Sequence, residues 1–198
     1  MTVKLNLGSG TNPLPDYINI DLRRVQGVEM QVNLFVVPWP FRDGSVDEIM
    51  MSHFVEHIPH TIRESKRVDV IKETVWWGQH SVAEPIWDED GFFVVFREAW
   101  RVLKMDGLVE VWTPYFTSES SFRDPTHTRY LTEATFSYLW EEKGTFDYQI
   151  GCKFEQIDAA YLPYPEYESL LPDAFQNDLK SRWNVAHTFR TVLRKVPL

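Results

Sequence analysis

Three groups of residues in this chain are spaced so that they can act together chemically. The first is a glycine turn and an acid. Val3-Lys4-Leu5-Asn6-Leu7 alternates apolar and polar residues and runs into Gly8-Ser9-Gly10. Tyr17-Ile18-Asn19-Ile20 alternates in the same way and ends on Asp21. Strand, glycine turn, strand, acid is the layout of a nucleotide-type site at the carboxyl ends of neighbouring parallel strands. Glycines let a ligand approach the backbone where a Cβ would otherwise stand. A carboxylate such as Asp21 can accept hydrogen bonds from both hydroxyls of a ribose. The second group is His53, His57 and His60, three to four residues apart. On a helix they would share one face, and imidazole suits proton transfer near neutral pH or metal ligation. Pro59 interrupts that helix before His60. No cysteine or carboxylate spacing completes a zinc pattern, so no metal site is expected from them. The third group is the loop Phe122-Arg123-Asp124-Pro125-Thr126-His127-Thr128-Arg129-Tyr130. Two arginines, an acid, a histidine and a tyrosine fall within eight residues of it. Such a loop can hold an anionic or hydroxyl-rich substrate. Alternatively Asp124 and His127 brace it against a sheet, because buried loop polar groups are normally paired.

The elements that must position these groups follow from periodicity. Val3–Leu7 is expected to be a central first strand and Tyr17–Ile20 the second. Only about nine residues lie between Gly8 and the second strand, and Pro13 and Pro15 deny a regular helix there. A parallel crossover usually takes about ten to twelve residues, so this one should be a loop with at most one helical turn. Val28–Leu34 should be a third strand. Val46–Met51, mostly apolar as a strand buried on both faces should be, is the fourth and ends at Ser52-His53. Phe92, Val95, Phe96, Ala99, Trp100 and Leu103 recur at helical spacing over Asp90–Leu103, with Asp90 as N-cap. Met105-Asp106-Gly107 turns the chain into a fifth strand, Leu108–Thr113, with Tyr115 and Phe116 at its carboxyl end. Thr132 should cap a helix to about Trp140, with Glu133 in its first turn. Phe154–Tyr161 and Asn184–Val196 should form a closing antiparallel hairpin across a Pro-rich, polar stretch at 163–182. Residues 60–90 read as an insertion after the fourth strand, with a short helix over Ile62–Val75. At that edge of a parallel sheet an insertion is a lid, a substrate wall or a packed surface excursion.

In chain order, LNLGSG, INIDL, PFRDGSVDEIMMSHFVEHI and FREAWRVLKMDGLVEVWTPYF resemble the class I S-adenosylmethionine-dependent methyltransferases. The resemblance covers about residues 3–58 and 90–116. It is nearest to small predicted methyltransferases with a shortened first crossover. The Asp124-Pro125-Thr126-His127 loop is also similar to one seen in several methyltransferases of this type. The resemblance implies one Rossmann-like α/β domain over residues 1–198. Its sheet would be seven-stranded and mostly parallel, with an antiparallel last strand. It implies methyl transfer from S-adenosyl-L-methionine, leaving S-adenosyl-L-homocysteine. The implied donor-binding residues are Leu7, Gly8, Ser9 and Gly10 after the first strand, and Asp21 and Leu22 after the second. Asn33 stands where the family often has an acid facing the adenine amino group. Leu34 and Phe35 would flank the adenine ring or be ordinary core, and Ser52 and His53 would face the transferred methyl group. On the acceptor side stand Tyr115, Arg123, Asp124 and His127. His127 and His53 are the candidate general bases should the nucleophile carry a proton. A dinucleotide fits less well. It needs a helix N-terminus for its pyrophosphate and an acid about twenty residues further on, and here the helix and the third glycine are missing.

Composition narrows the partners. With 20 basic and 29 acidic residues the net charge is −9 and the pI about 5.1, which opposes tight binding to phosphate backbones. A small molecule, a sugar derivative or a protein is the better acceptor. The single Cys152 excludes an internal disulfide and fits a reducing, cytoplasmic setting. No apolar run reaches the length of a membrane span, and the first residues enter a strand at once, leaving no room for a signal peptide. Two other functions fit the same residues: a binding protein that retains the adenosyl site but has no acceptor, and a metal-dependent hydrolase built on His53, His57 and His60.

Overall fold

A computed structural model of the chain describes residues 2–62, 89–141 and 149–198. Seven strands form the main sheet: β1 (Lys4–Leu7), β2 (Ile18–Asp21), β3 (Met30–Gln31), β4 (Val46–Ser52), β7 (Leu103–Pro114), β8 (Phe154–Pro163) and β9 (Ala186–Lys195). Two short strands, β5 (Thr61–Ile62) and β6 (Glu89–Asp90), pair separately. The helices are α1 (Gly91–Val102), α2 (Glu119–Arg123), α3 (Glu133–Ser137) and α4 (Pro172–Ser181). The sheet order is β3-β2-β1-β4-β7-β9-β8. β1, β2, β3, β4 and β7 run parallel, and β9 runs antiparallel to both β7 and β8. This is the mostly parallel seven-stranded sheet with an antiparallel last strand that was expected. Its order reverses between β1 and β4. Open α/β sheets bind ligands outside the strand ends at such a point.

The central strands turn Leu5, Leu7, Ile49, Met51, Val109 and Val111 to one face, where they form the core, while Glu48, Met50 and Glu110 on the other face are half-buried. α1 covers one face with Phe92, Val95, Phe96 and Ala99. Asp90 caps it, its side chain accepting from the Phe92 N–H at 2.9 Å. No helix joins β1 to β2. A pair of buried asparagines takes its place, each only 2% exposed. Asn6 Nδ2 donates to Asn19 Oδ1 at 2.8 Å and to the Asn12 carbonyl at 3.3 Å. Asn19 Oδ1 also accepts from the Leu14 N–H at 2.8 Å, and its Nδ2 donates to the Leu14 carbonyl at 3.1 Å. These bonds satisfy loop backbone that a helix would otherwise pair internally.

Four boundaries differ from expectation. The third strand is only Met30–Gln31: the Glu29 and Val32 N–H groups still reach the Asn19 and Asp21 carbonyls at 2.9 and 3.0 Å, but the residues beyond them bond locally. Val28 N–H returns to Val25 O at 3.2 Å, and Asn33 Oδ1 accepts from Phe35 N–H at 3.0 Å, a competition with sheet pairing usual for asparagine. The fifth strand begins at Leu103 rather than Leu108. The Met105–Gly107 turn is absorbed as an irregularity in β7: Asp106 has φ 63°, and the pairing jumps from Val46–Leu103 to Glu48–Leu108, as at a bulge. The Thr132-capped helix stops at Ser137, with reciprocal Thr132–Thr135 capping bonds at its start. The stretch at 163–182 contains α4. Pro172 opens it, where a missing N–H is harmless, and Leu179 is its single buried residue. The helix expected over 62–75 lies outside the described residues except for Ile62, which is in β5. Among the described residues no helix is long and apolar enough to cross a membrane.

Candidate active site

The two glycines after β1 serve different purposes. Both adopt positive φ, 68° at Gly8 and 50° at Gly10, where a Cβ is strained. A Cβ on Gly8 would stand 2.6 Å from Phe54 Cδ2, so this glycine admits the Phe54 ring. Phe54 in turn stacks on Phe35, ring centroids 5.8 Å apart and 10° from parallel. A Cβ on Gly10 would meet nothing nearer than the Arg23 guanidinium at 3.6 Å, so the space on that side is open. Asp21 is 7% exposed. Its Oδ2 accepts from the Gly10 N–H at 2.9 Å and its Oδ1 from the Arg23 N–H at 2.8 Å. The acid thus holds the turn in shape. Ser9 Oγ beside it is buried without a partner among the described residues. Leu7 and Leu34 belong to the core, and Trp39 Nε1 donates to the Leu34 carbonyl at 3.0 Å. Leu22 is 55% exposed, and Asn33 and Ser52 are also on the surface.

Beside the residues that follow β4 lies a cavity of about 470 Å³, whose walls include His53, Glu56, His57, Pro114, Ser120, Arg123, Asp124 and His127. His53 follows β4 with φ 51°, its N–H on the Trp112 carbonyl at 2.8 Å. Its Nδ1 lies 3.1 Å from Glu56 Oε1, and that hydrogen bond raises its pKa above the ordinary histidine value. Glu56 is 1% exposed. Its Oε2 accepts from Thr113 Oγ1 at 3.3 Å, and its backbone carbonyl receives the Thr128 and Arg129 N–H groups at 2.9 and 3.1 Å. The histidine-bearing loop docks there. His57 Nδ1 faces Thr126 Oγ1 at 3.0 Å and the Thr126 carbonyl at 3.3 Å. The Thr126 hydroxyl and N–H both donate to Asp124 Oδ1, at 2.7 and 2.8 Å, and hold that carboxyl below its usual pKa. His127 Nδ1 lies 2.9 Å from the Ser121 carbonyl. Arg129 fastens the loop from below. It donates to the Ile58 and Pro59 carbonyls, each at 2.8 Å, and pairs with Asp90 at 3.0 Å.

The structure therefore brings His53, Arg123, Asp124 and His127 into one cavity, as their positions on the chain implied. It separates Tyr115 from them. That ring is 8% exposed and packs edge-on to Phe116 and Tyr161. The histidine triplet does not share a face either. His53 sits in a left-handed residue, Val55–His57 is a single 3-10 turn, and His60 is exposed. His57 instead meets His127, ring centroids 4.8 Å apart. Sequence reasoning passed over Glu56, Phe54 and Thr126. The signal for Glu56 was an acid set among apolar neighbours, Phe54-Val55-Glu56-His57-Ile58.

No family model matches the chain, and no curated protein matches its sequence. Solved structures do resemble it. A SAM-dependent methyltransferase from Archaeoglobus fulgidus aligns with a TM-score of 0.58 at 14% identity, over 98% of this chain and 86% of that one. The 1,6-didemethyltoxoflavin-N1-methyltransferase of Burkholderia thailandensis, solved with 1,6-didemethyltoxoflavin and S-adenosylhomocysteine bound, gives 0.53 at 12%, over 98% and 71%. The [4+2]-cyclase SpnF gives 0.52 at 15%, over 98% and 74%. By its sheet order, its glycine turn and these likenesses, the chain has the Rossmann-like fold of the class I SAM-dependent methyltransferases.

Proposed function

We propose that the protein transfers a methyl group from S-adenosyl-L-methionine to an acceptor held in the cavity beside the residues that follow β4. The observation that carries this reading is the path of residues 53–57. Phe54 seats on Gly8, while His53, Glu56 and His57 line the cavity. A donor at the turn and an acceptor in the cavity would share that wall, and the reaction mainly needs the two aligned at about 3–3.5 Å. The residues fit the donor: an open face at Gly10, an unpartnered buried hydroxyl on Ser9, and a strand-end acid. Bound there, the donor would supply an activated methyl group. Gly10 leaves room for it, Asp21 fixes the turn and faces its hydroxyls, and His53 and His127 stand ready for an acceptor proton.

Fold alone does not choose the reaction, as the cyclase SpnF illustrates. The cavity favours transfer over simple adenosyl binding, because it gives an acceptor somewhere to sit. The acidic balance of the chain favours a small molecule or sugar derivative over nucleic acid. A hydrolase built on the three histidines loses its basis, since His53, His57 and His60 do not form one cluster. Calorimetry with S-adenosylhomocysteine tests the donor site, and transfer of isotope-labelled methyl groups into metabolite fractions tests the reaction. One-to-one binding with label in a discrete product is expected. Absence of adenosyl binding would overturn the reading, and binding without transfer would favour the binding-protein alternative.

A further inference from the structure

We infer that Glu56, His57 and His127 form a site for a divalent transition-metal ion in the wall of the cavity. Each side chain offers one ligand atom, and all three atoms lie within 4.8 Å of one another. Metal–ligand bonds of about 2.0–2.2 Å call for separations of roughly 3–3.5 Å, a contraction that small rotations of the two rings supply. The tautomers are arranged for it. His57 presents Nδ1 to Thr126 and His127 presents Nδ1 to the Ser121 carbonyl. With those nitrogens donating, the Nε2 lone pair of each ring is the one left for a cation. Ligating histidines are usually fixed by such a bond from the opposite nitrogen. For His57 the support continues through the Thr126 hydroxyl to Asp124.

A second observation points the same way. Glu56 is almost wholly buried, yet no lysine or arginine pairs with it among the described residues. Its side-chain partners are His53 at 3.1 Å and Thr113 at 3.3 Å. A buried carboxylate without a full counter-charge is costly, and a cation beside it removes that cost. Glu56 can keep Oε1 on His53 and give Oε2 to the ion. Two nitrogens and one oxygen suit Zn²⁺, Co²⁺, Fe²⁺ or Mn²⁺ better than Ca²⁺ or Mg²⁺. Three protein ligands leave positions open towards the cavity.

The site stands on these residues alone. Its role rests on the methyl-transfer reading: the open positions would hold an oxygen of the acceptor, so the acceptor class is one that presents a hydroxyl or carboxylate to a cation.

The test uses the full chain, stripped with a chelator and titrated with Co²⁺ alone, then with Zn²⁺ in competition. One equivalent of Co²⁺ should give a visible ligand-field spectrum that Zn²⁺ abolishes. His57→Ala and His127→Ala should each weaken Co²⁺ at least about tenfold while keeping the wild-type circular dichroism. His60→Ala, outside the cluster, should bind as wild type. Glu56→Gln is the sharper variant but removes a buried charge, so the histidine variants carry the conclusion if it fails to fold. No spectrum, or a spectrum indifferent to His57 and His127, would overturn the site. S-adenosylhomocysteine calorimetry on the stripped protein reports separately on the donor site, so either reading can fail alone.

Discussion

Alanine at Gly8 and alanine at Gly10 should have unequal costs, and the difference measures a contact. Both residues have positive φ. Left-handed backbone costs a residue with a Cβ about 1–2 kcal/mol, and the lower entropy of the unfolded alanine chain returns about 0.4–1 kcal/mol. At Gly10 little else changes, because the nearest atom is the mobile Arg23 guanidinium at 3.6 Å. At Gly8 the new Cβ meets Phe54 at 2.6 Å from Cδ2, 3.1 Å from Cγ and 3.2 Å from Cβ. That ring is buried and stacked on Phe35, so it must shift, and overpacking of this kind costs about 1–3 kcal/mol. Gly8→Ala should therefore be less stable than Gly10→Ala by about 1–3 kcal/mol in urea unfolding. Adding Phe54→Ala should restore part of the difference, a coupling of at least about 0.5 kcal/mol. Donor affinity should follow the opposite order per unit of stability lost, with Gly10→Ala weakening S-adenosylhomocysteine binding in a protein that remains well folded. Equal destabilisation at the two positions, or strict additivity with Phe54→Ala, would refute the idea that Gly8 is there for the phenylalanine.

Three further outcomes are expected. Asp21→Asn replaces one acceptor oxygen by a donor facing a backbone N–H, and should cost about 1–3 kcal/mol together with donor affinity; calorimetry and unfolding both unchanged would release Asp21 from the turn. Burial pushes the Cys152 thiol up to about 12, so native protein should resist a thiol reagent at pH 8 that labels the urea-unfolded chain at once. The same shift means the unfolded state loses this proton first, so stability should decline from about pH 9 towards 12; quick labelling of the native protein would contradict both statements. Arg129→Ala should weaken Co²⁺ binding without touching a ligand, because the guanidinium ties the His127 loop to Ile58, Pro59 and Asp90; a change in melting temperature with cobalt affinity unaltered would deny that link.

Much of the framework was legible because it rests on local rules. Alternation marked β1 and β2, a mostly apolar run marked β4, the stripe from Phe92 to Leu103 marked α1, and Asp90 and Thr132 announced their helices as caps. The short crossover followed from Pro13 and Pro15. The means of holding it did not, because Asn6 and Asn19 look polar in a strand until the loop folds over them. α4 escaped because a helix that buries only Leu179 has almost no stripe to detect. The cavity was half legible. Strand ends placed His53 and the loop at 122–130 on one edge, but nothing local says that His57 meets His127 rather than His60. For Tyr115, position at a strand end does not say which way the ring turns, and it packs against Phe116 and Tyr161.

The pairing of Thr61–Ile62 with Glu89–Asp90 clasps the chain that follows β4 to the residues that open α1. The two short strands lie side by side, hydrogen-bonded to each other. Asp90, the last residue of the clasp, both caps α1 and pairs with Arg129. A change at the clasp would thus be felt at the cavity, because Asp90 passes it to Arg129 and so to the loop that carries His127.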